Sequence, residues 1–230
     1  MTEPATTLSP AFASLAARGT AVVSDAMDLL GADGQILGPR RLSGQGPVVG
    51  PAFTVQFEPV EPGAKGPAAD FLDDVPAGSV VVLAAGAADC TVWGDILAEV
   101  AIARGVAGTV IDGMCRDLDG IRELGYSVWA HDAFMRSGKN RVRMTACRQP
   151  VVIGRGAEAR TVRPGDVVCA DGSGVTVVPA DRLAQVVETV ERIGAMEDLV
   201  LKDVRAGVSL REARARHGYN RMALRVAEGG

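Results

Sequence analysis

Residues 94–119, GDILAEVAIARGVAGTVIDGMCRDLD, constrain the fold more than any other stretch of the chain. Residues 94–104 have apolar side chains at helical spacing behind a Gly-Asp opening, which predicts a helix. Residues 109–112, TVID, follow as a buried strand that ends in a turn at Gly113 carrying Arg116 and Asp117. Continuous apolar runs flank this unit, VVLAA at 80–84 on one side and SVWA at 127–130 on the other. A run with no polar alternation suits a strand covered on both faces. Residues 121–124 predict a short helix between the last two strands. From Val80 onward the order is therefore strand, helix, strand, helix, strand, which calls for an α/β core with parallel neighbours.

The flanking segments read as follows. Residues 2–10 are Thr/Pro-rich and expected to fray. Residues 12–30 are helical in period, with Thr20 as a cap between two helices and Ser24, ahead of Asp25 and Asp28, favouring a start near 24. Residues 31–41 are turn-rich. Residues 48–57, VVGPAFTVQF, read as a strand in which Pro51 marks an edge or an interruption. Residues 59–67 form a Pro/Gly loop, residues 68–74 a short helix, and residues 136–143 a basic, turn-like stretch. Beyond it, short strands at 151–153, 160–162, 167–170 and 174–178 are separated by GRG, RPGD and DGSG turns, a pattern of a β-meander or small barrel-like layer. An amphipathic helix at 181–204 follows Pro179. A shorter one at 208–218 opens on Ser209 with Glu212 three residues on, a capping box. There is no clean linker, so residues 1–230 read as one domain with C-terminal helices at 181–230.

Composition excludes several function classes. A formal net charge of −4 over 230 residues gives no electrostatic footprint for nucleic acid. Cys90, Cys115, Cys147 and Cys169 are widely spaced with no CxxC, which suits reduced thiols in a cytoplasmic protein and not a zinc or disulfide framework. The polar N-terminus is not a signal peptide, and apolar runs stop well short of a membrane span. With only His131 and His217, a histidine-rich metal centre is ruled out. GRG at 154–156 is followed by neither Lys-Ser/Thr nor a helix, so it is no phosphate loop. Neither GxSxG nor HExxH occurs.

What remains is the segment at 94–119. A helix N-terminus offers unpaired amides to an anion, and α/β proteins place chemistry beyond strand ends. Arg116 can bind a carboxylate or steady an enolate. Asp117 alone suffices for Mg2+, which needs one or two protein carboxylates and keeps its waters. Asp95 reads equally as a dipole-complementing acid and as the orienter of a water, with the amides of Ile96 and Leu97 on a carboxylate. Asp112 and Asp171 are expected to fix turns, His131 to be packed or surface-exposed without a role, and Cys115 to be unreactive for want of a base.

Four blocks carry a family resemblance: SDAMDLLG at 24–31, VGPAFTV at 49–55, GDILAEVAIARGVAGTVIDGMCRD at 94–117 and VRPGDVVCADGSGVTVVP at 162–179. In order and spacing the chain resembles the RraA-like family, which includes the class II 4-hydroxy-4-methyl-2-oxoglutarate/4-carboxy-4-hydroxy-2-oxoadipate aldolases and the regulators of ribonuclease E activity. The resemblance implies an α/β fold of swivelling β/β/α type, a layered sandwich with a C-terminal helical extension. It implies a homotrimer or homohexamer with sites between subunits. It also implies that Arg116 binds substrate and steadies a pyruvate enolate, and that Asp117 holds a divalent metal, Mg2+ with Mn2+ as the alternative. Asp95, next to Gly94, would orient a water, while the amides of Ile96 and Leu97 hold the pyruvate carboxylate. Glu197 from a neighbouring C-terminal region would complete the site. The aldolase pattern asks for an acid at position 120. This chain has Gly120, with Asp119 one residue early as the substitute if the turn is shifted.

The expected function is a metal-dependent lyase cleaving a C–C bond of a small 2-oxo acid, with oxaloacetate decarboxylation as a side activity. Two alternatives stand beside it: a non-catalytic regulator that binds a ribonuclease, motivated by Gly120, and a specialised-pathway lyase or isomerase on another oxo acid, with His131-Asp132 and residues 136–139 lining its pocket.

Overall fold

The computed structural model describes residues 9–60, 70–86 and 89–219. Its core is a sheet in which four strands run parallel. These are β3 (Val48–Pro59), β4 (Val80–Ala84), β5 (Gly108–Asp112) and β7 (Val128–Ala130). Each of β4, β5 and β7 is buried along its whole length, as their unbroken apolar runs require. On the β3 side the sheet continues antiparallel through β12 (Val167–Ala170), β13 (Val175–Val178) and β1 (Gln35–Ile36); β2 (Arg40–Ser43) closes the other side against β7.

β3 is the pivot. Its first residues pair with β12, and its last pair with β9 (Val142–Cys147), on the side away from β4. Pro51 sits at the changeover, opposite Val167 and one residue before the β4 pairing begins at Ala52. The expected interruption is therefore present, but β3 is central and not an edge. The missing amide falls where no ladder bond to β4 is due.

Layers of different kind cover the two faces. On one, α2 (Asp95–Ala103) and α3 (Leu118–Leu124) bury a cluster that includes Phe53, Leu83, Trp93, Ile111 and Tyr126. On the other, the hairpin of β10 (Val151–Ile153) and β11 (Arg160–Val162) packs over Val82, Val110 and Trp129. A third cluster joins α1 (Pro10–Leu29) and α4 (Leu183–Arg205) to β12 and β13 through Leu15, Val23, Met27, Val178, Val190 and Ile193. The result is a β/β/α layered sandwich with C-terminal helices. The expected separate meander is corrected: only β10–β11 forms its own hairpin, whereas β12 and β13 extend the main sheet.

Several local expectations change for identifiable reasons. Residues 2–8 of the expected frayed segment lie outside the described residues; Ser9 accepts from the Phe12 amide and starts α1 at Pro10. Residues 68 and 69 of the expected helix also lie outside them, and Asp70–Asp74 is a 3-10 turn. α1 breaks at Gly19 (φ 81°) and restarts at Thr20, whose amide and hydroxyl both donate to Asp171. The start near Ser24 is thus corrected: the cap comes from a carboxylate 151 positions away, and Ser24 Oγ instead accepts from Gln35 at 3.1 Å. Asp28 accepts from the same side chain at 2.9 Å. α5 (Leu210–His217) starts on the expected cap, the Ser209 hydroxyl accepting from the Glu212 amide.

Candidate active site

β5 ends at Asp112, turns at Gly113, and continues as β6 (Met114–Cys115), which pairs in parallel with β8 (Asp132–Ala133). This short ribbon carries Arg116 and Asp117 past the sheet edge to the start of α2. The Arg116 amide donates to the Trp93 carbonyl at 3.1 Å, tying the ribbon to the residue before Gly94. Trp93 is itself buried and stacked on Tyr126, with ring centroids 6.1 Å apart. The floor of the site is therefore rigid.

Gly94 is the point of closest approach. A Cβ placed there would lie 2.5 Å from Asp117 Oδ2 and 3.3 Å from Arg116 Nε. Its backbone is extended (φ −158°), so glycine is required by space and not by conformation. Arg116 Nε and Asp117 Oδ2 form an ion pair at 3.1 Å. Asp117 itself is held in the left-handed region (φ 56°), uncommon for a residue with a side chain and enriched at functional sites. Its carbonyl accepts from Ile121 and opens α3, while its carboxylate makes no capping bond. That carboxylate is exposed and turned towards the α2 N-terminus.

On that N-terminus the first intrahelical bond runs from Ala98 to Gly94, so the amides of residues 95–97 lie ahead of it. Asp95 Oδ1 occupies one of them, accepting from Ile96 at 2.8 Å. Asp95 also faces α3: a Cβ on Gly120 would stand 3.4 Å from Asp95 Cβ and 3.5 Å from its Oδ2. Position 120 thus points into the site, and its emptiness leaves Asp95 as the acid in that space. Asp119 does not substitute. Its side chain is 98% exposed and bonds to Arg122, so the shifted-turn expectation is corrected.

Five predicted site residues, Gly94, Asp95, Ile96, Arg116 and Asp117, thereby come together, with Leu97 in the same first turn. Glu197 lies on α4, which packs on α1 and α5, and accepts from Tyr219 Oη at 3.4 Å. Among the described residues no group of three or more His, Cys, Asp or Glu could hold a metal outright. The donor set here, one exposed carboxylate, fits a hard cation that keeps most of its waters, and not zinc or calcium.

Other residues settle into supporting roles. Cys115 is buried, and burial, then the charge of Asp117, pushes its thiol up to about 12, so it is no nucleophile. Asp171, although burial opposes its charge, is held below the usual carboxylate range by bonds from Thr20 and Ser173. Of the residues expected at an alternative pocket, Asp132 pairs with Arg40 and Arg136 with Asp89. Sequence reasoning missed one pair. Asp112 and His131, at the ends of β5 and β7, share a 2.6 Å bond with the imidazole only 9% exposed. The signal was available, since neighbouring parallel strands place their terminal residues side by side.

Comparison with known proteins bears on this geometry. A family model described as RraA-like, Aldolase/RraA, matches residues 20–177. Protein DlpA of Legionella pneumophila is 38% identical over 212 residues, covering 90% of this chain; the chain spans 34% of that protein's length. A putative 4-hydroxy-4-methyl-2-oxoglutarate aldolase of Halalkalibacterium halodurans is 29% identical over 175 residues, 75% of this chain and 78% of that one. Among solved structures, an uncharacterized protein from Pseudomonas syringae pv. tomato superposes with a TM-score of 0.80 at 38% identity, covering 89% and 96% of the two chains. Streptomyces coelicolor RraAS2, described as an unusual member of the RNase ES inhibitor RraA family, superposes with a TM-score of 0.71 at 28% identity, covering 84% and 96%.

Proposed function

The chain belongs to the RraA-like family, and on that premise we propose that it is a divalent-metal-dependent lyase that cleaves a C–C bond of a small 2-oxo acid to release a pyruvate enolate. One observation carries the reading. Arg116 and Asp117 lie against the bare backbone of Gly94, so a guanidinium, a carboxylate and helix amides converge within contact distance.

Asp117 would hold Mg2+ or Mn2+, which when bound supplies a Lewis acid for the oxo group. The amides of Ile96 and Leu97 hold the substrate carboxylate. Taking the Ile96 amide displaces Asp95 Oδ1, which frees that carboxylate to orient a water and carry a proton. Arg116 donates to the oxygen on which negative charge develops. Oxaloacetate decarboxylation passes through the same enolate and is the expected side activity. Assembly into trimers or hexamers, with Glu197 of a neighbouring copy at the site, belongs to the same proposal. Ile96, 71% exposed beside Asp95, is apolar surface that a neighbour would cover. A cytoplasmic location fits the four free cysteines, and no helix among the described residues is long and apolar enough to cross a membrane.

The test is pyruvate release from oxaloacetate with Mg2+ or Mn2+. EDTA and Asp117→Ala should each reduce it to background, and turnover surviving both overturns the mechanism. Gly120 favours a second reading, a non-catalytic protein that binds an RNA-degrading enzyme. Stoichiometric capture of a ribonuclease E-type partner, together with no lyase turnover on any 2-oxo acid, would decide for it.

A further inference from the structure

A second cleft lies on the opposite face of the sheet from α2 and α3. It has a volume of about 320 Å3 and is lined by Arg18 and Gly19 of α1, Arg41 of β2, and the Asp171-Gly172-Ser173 turn after β12. The volume falls at the small end of ligand pockets, about 300–1,000 Å3. Arg41 sits opposite Trp129 in the β2–β7 ladder, and Trp129 belongs to the core beneath the β10–β11 hairpin. The cleft is therefore separated from Arg116 and Asp117 by the thickness of the sheet.

Arg41 is unusual in how it is held. Its guanidinium lies 5.3 Å from the centroid of the Trp129 ring. Trp129 is fully buried and is fixed by its own indole N–H, which donates to the Asp171 carbonyl at 2.8 Å. Arg41 Nη2 donates to the Gly46 carbonyl at 2.6 Å. Two rigid supports thus fix the plane of the fork, removing the rotamer freedom that makes most surface arginines poor receptors. Yet among the described residues this cation has no carboxylate partner, unlike Arg18 and Arg40, which pair with Asp198 and Asp132. Its Nε is buried and, among the described residues, has no hydrogen-bond partner. The nearby Asp171 carboxylate makes no ion pair with Arg41 among the described residues; its oxygens accept from Thr20 and Ser173. Gly172 keeps the approach open, since a Cβ there would lie 3.9 Å from Arg41 Nη1.

We propose that this cleft binds a small oxyanion, a phosphate or a carboxylate, through the pre-positioned Arg41 guanidinium, with Arg18 and the exposed Ser173 at its rim. A guanidinium held in place, without an ion-pair partner among the described residues and with Nη1 towards Gly172, is complementary to an oxygen of such a group. The DGSG turn then has two tasks: its Asp171 caps the second half of α1, and its Gly172-Ser173 edge forms the wall of the site.

The experiment is titration of the full chain with inorganic phosphate and, separately, with oxalate, followed by calorimetry and by thermal shift against a sodium chloride control of matched ionic strength. The expected result is saturable one-to-one binding of at least one of the two, and which one identifies the source. Arg41→Gln should weaken it tenfold or more. Gly172→Val, which leaves the charge intact and is not at a positive-φ glycine, should weaken it as well by filling the mouth. Asp117→Ala should leave it unchanged, so failure here is distinguishable from failure of the lyase reading. Absence of saturation with both anions, or equal binding by wild type and both cleft variants, would overturn the proposal.

Discussion

Gly94→Ala is the sharpest test of the site geometry, because a single methyl group enters at the place where three functional groups meet. The added Cβ would lie 2.5 Å from Asp117 Oδ2, 3.3 Å from Arg116 Nε and 3.4 Å from Arg116 Cγ. Relief cannot come from the backbone at 94, which is anchored by the Ala98 bond and by Trp93 next to it. It comes from Asp117, whose exposed carboxylate can swing away. To regain ordinary contact it must retreat by roughly 1 Å, and a misplacement of that size costs about 10²-fold in rate. Stability should change little. Extended backbone at 94 suits alanine, and losing glycine at an N-cap costs at most about 1 kcal/mol. In a chain of this length that shifts Tm by about 2–4 °C. The assay is metal-dependent pyruvate release from oxaloacetate, with Mn2+ binding by calorimetry and Tm measured on the same samples. The expected outcome is a large fall in kcat/KM and weaker metal binding in a folded protein. Wild-type turnover and metal affinity in Gly94→Ala would refute the claim that Arg116 and Asp117 work against the α2 N-terminus.

Three further outcomes follow from the same structure. The folded pKa of Asp171 lies below its unfolded value of about 3.9, so its stabilising effect is complete above that value and is lost as pH falls through the folded one; acid unfolding of Asp171→Asn should show a shallower pH dependence below pH 4 than wild type. With its thiol raised to about 12, Cys115 should resist iodoacetamide at pH 8 while the chain is folded and react once it is unfolded in urea; prompt native alkylation, mapped by mass spectrometry, would contradict the burial. Asp112→Ala strands the His131 imidazole without its partner and should cost about 1–3 kcal/mol in urea unfolding, whereas a neutral effect would mean the pair contributes nothing.

Much of the fold follows from information contained within a few consecutive residues. The apolar run at Val80–Ala84 can only be a strand covered on both faces, and Ser209 with Glu212 makes a helix start wherever it is placed. The Gly-Asp opening of α2 and the turn after β5 are local in the same sense. Periodicity therefore brought Asp95, Arg116 and Asp117 to two element ends that α/β topology sets side by side. What tertiary structure decided was every feature that depends on a distant partner. Pro51 lies inside a central strand because β3 changes neighbours there. α1 restarts at Thr20 because the Asp171 carboxylate, far along the chain, accepts its amide. Gly94 is required because Asp117 lies on it, and Gly120 turns to Asp95 and not to solvent. A residue's own propensity carries no information on such contacts. They are set by which surfaces the packed sheet brings within a few ångströms, so the residues of the candidate site were legible in the chain, and their fit was not.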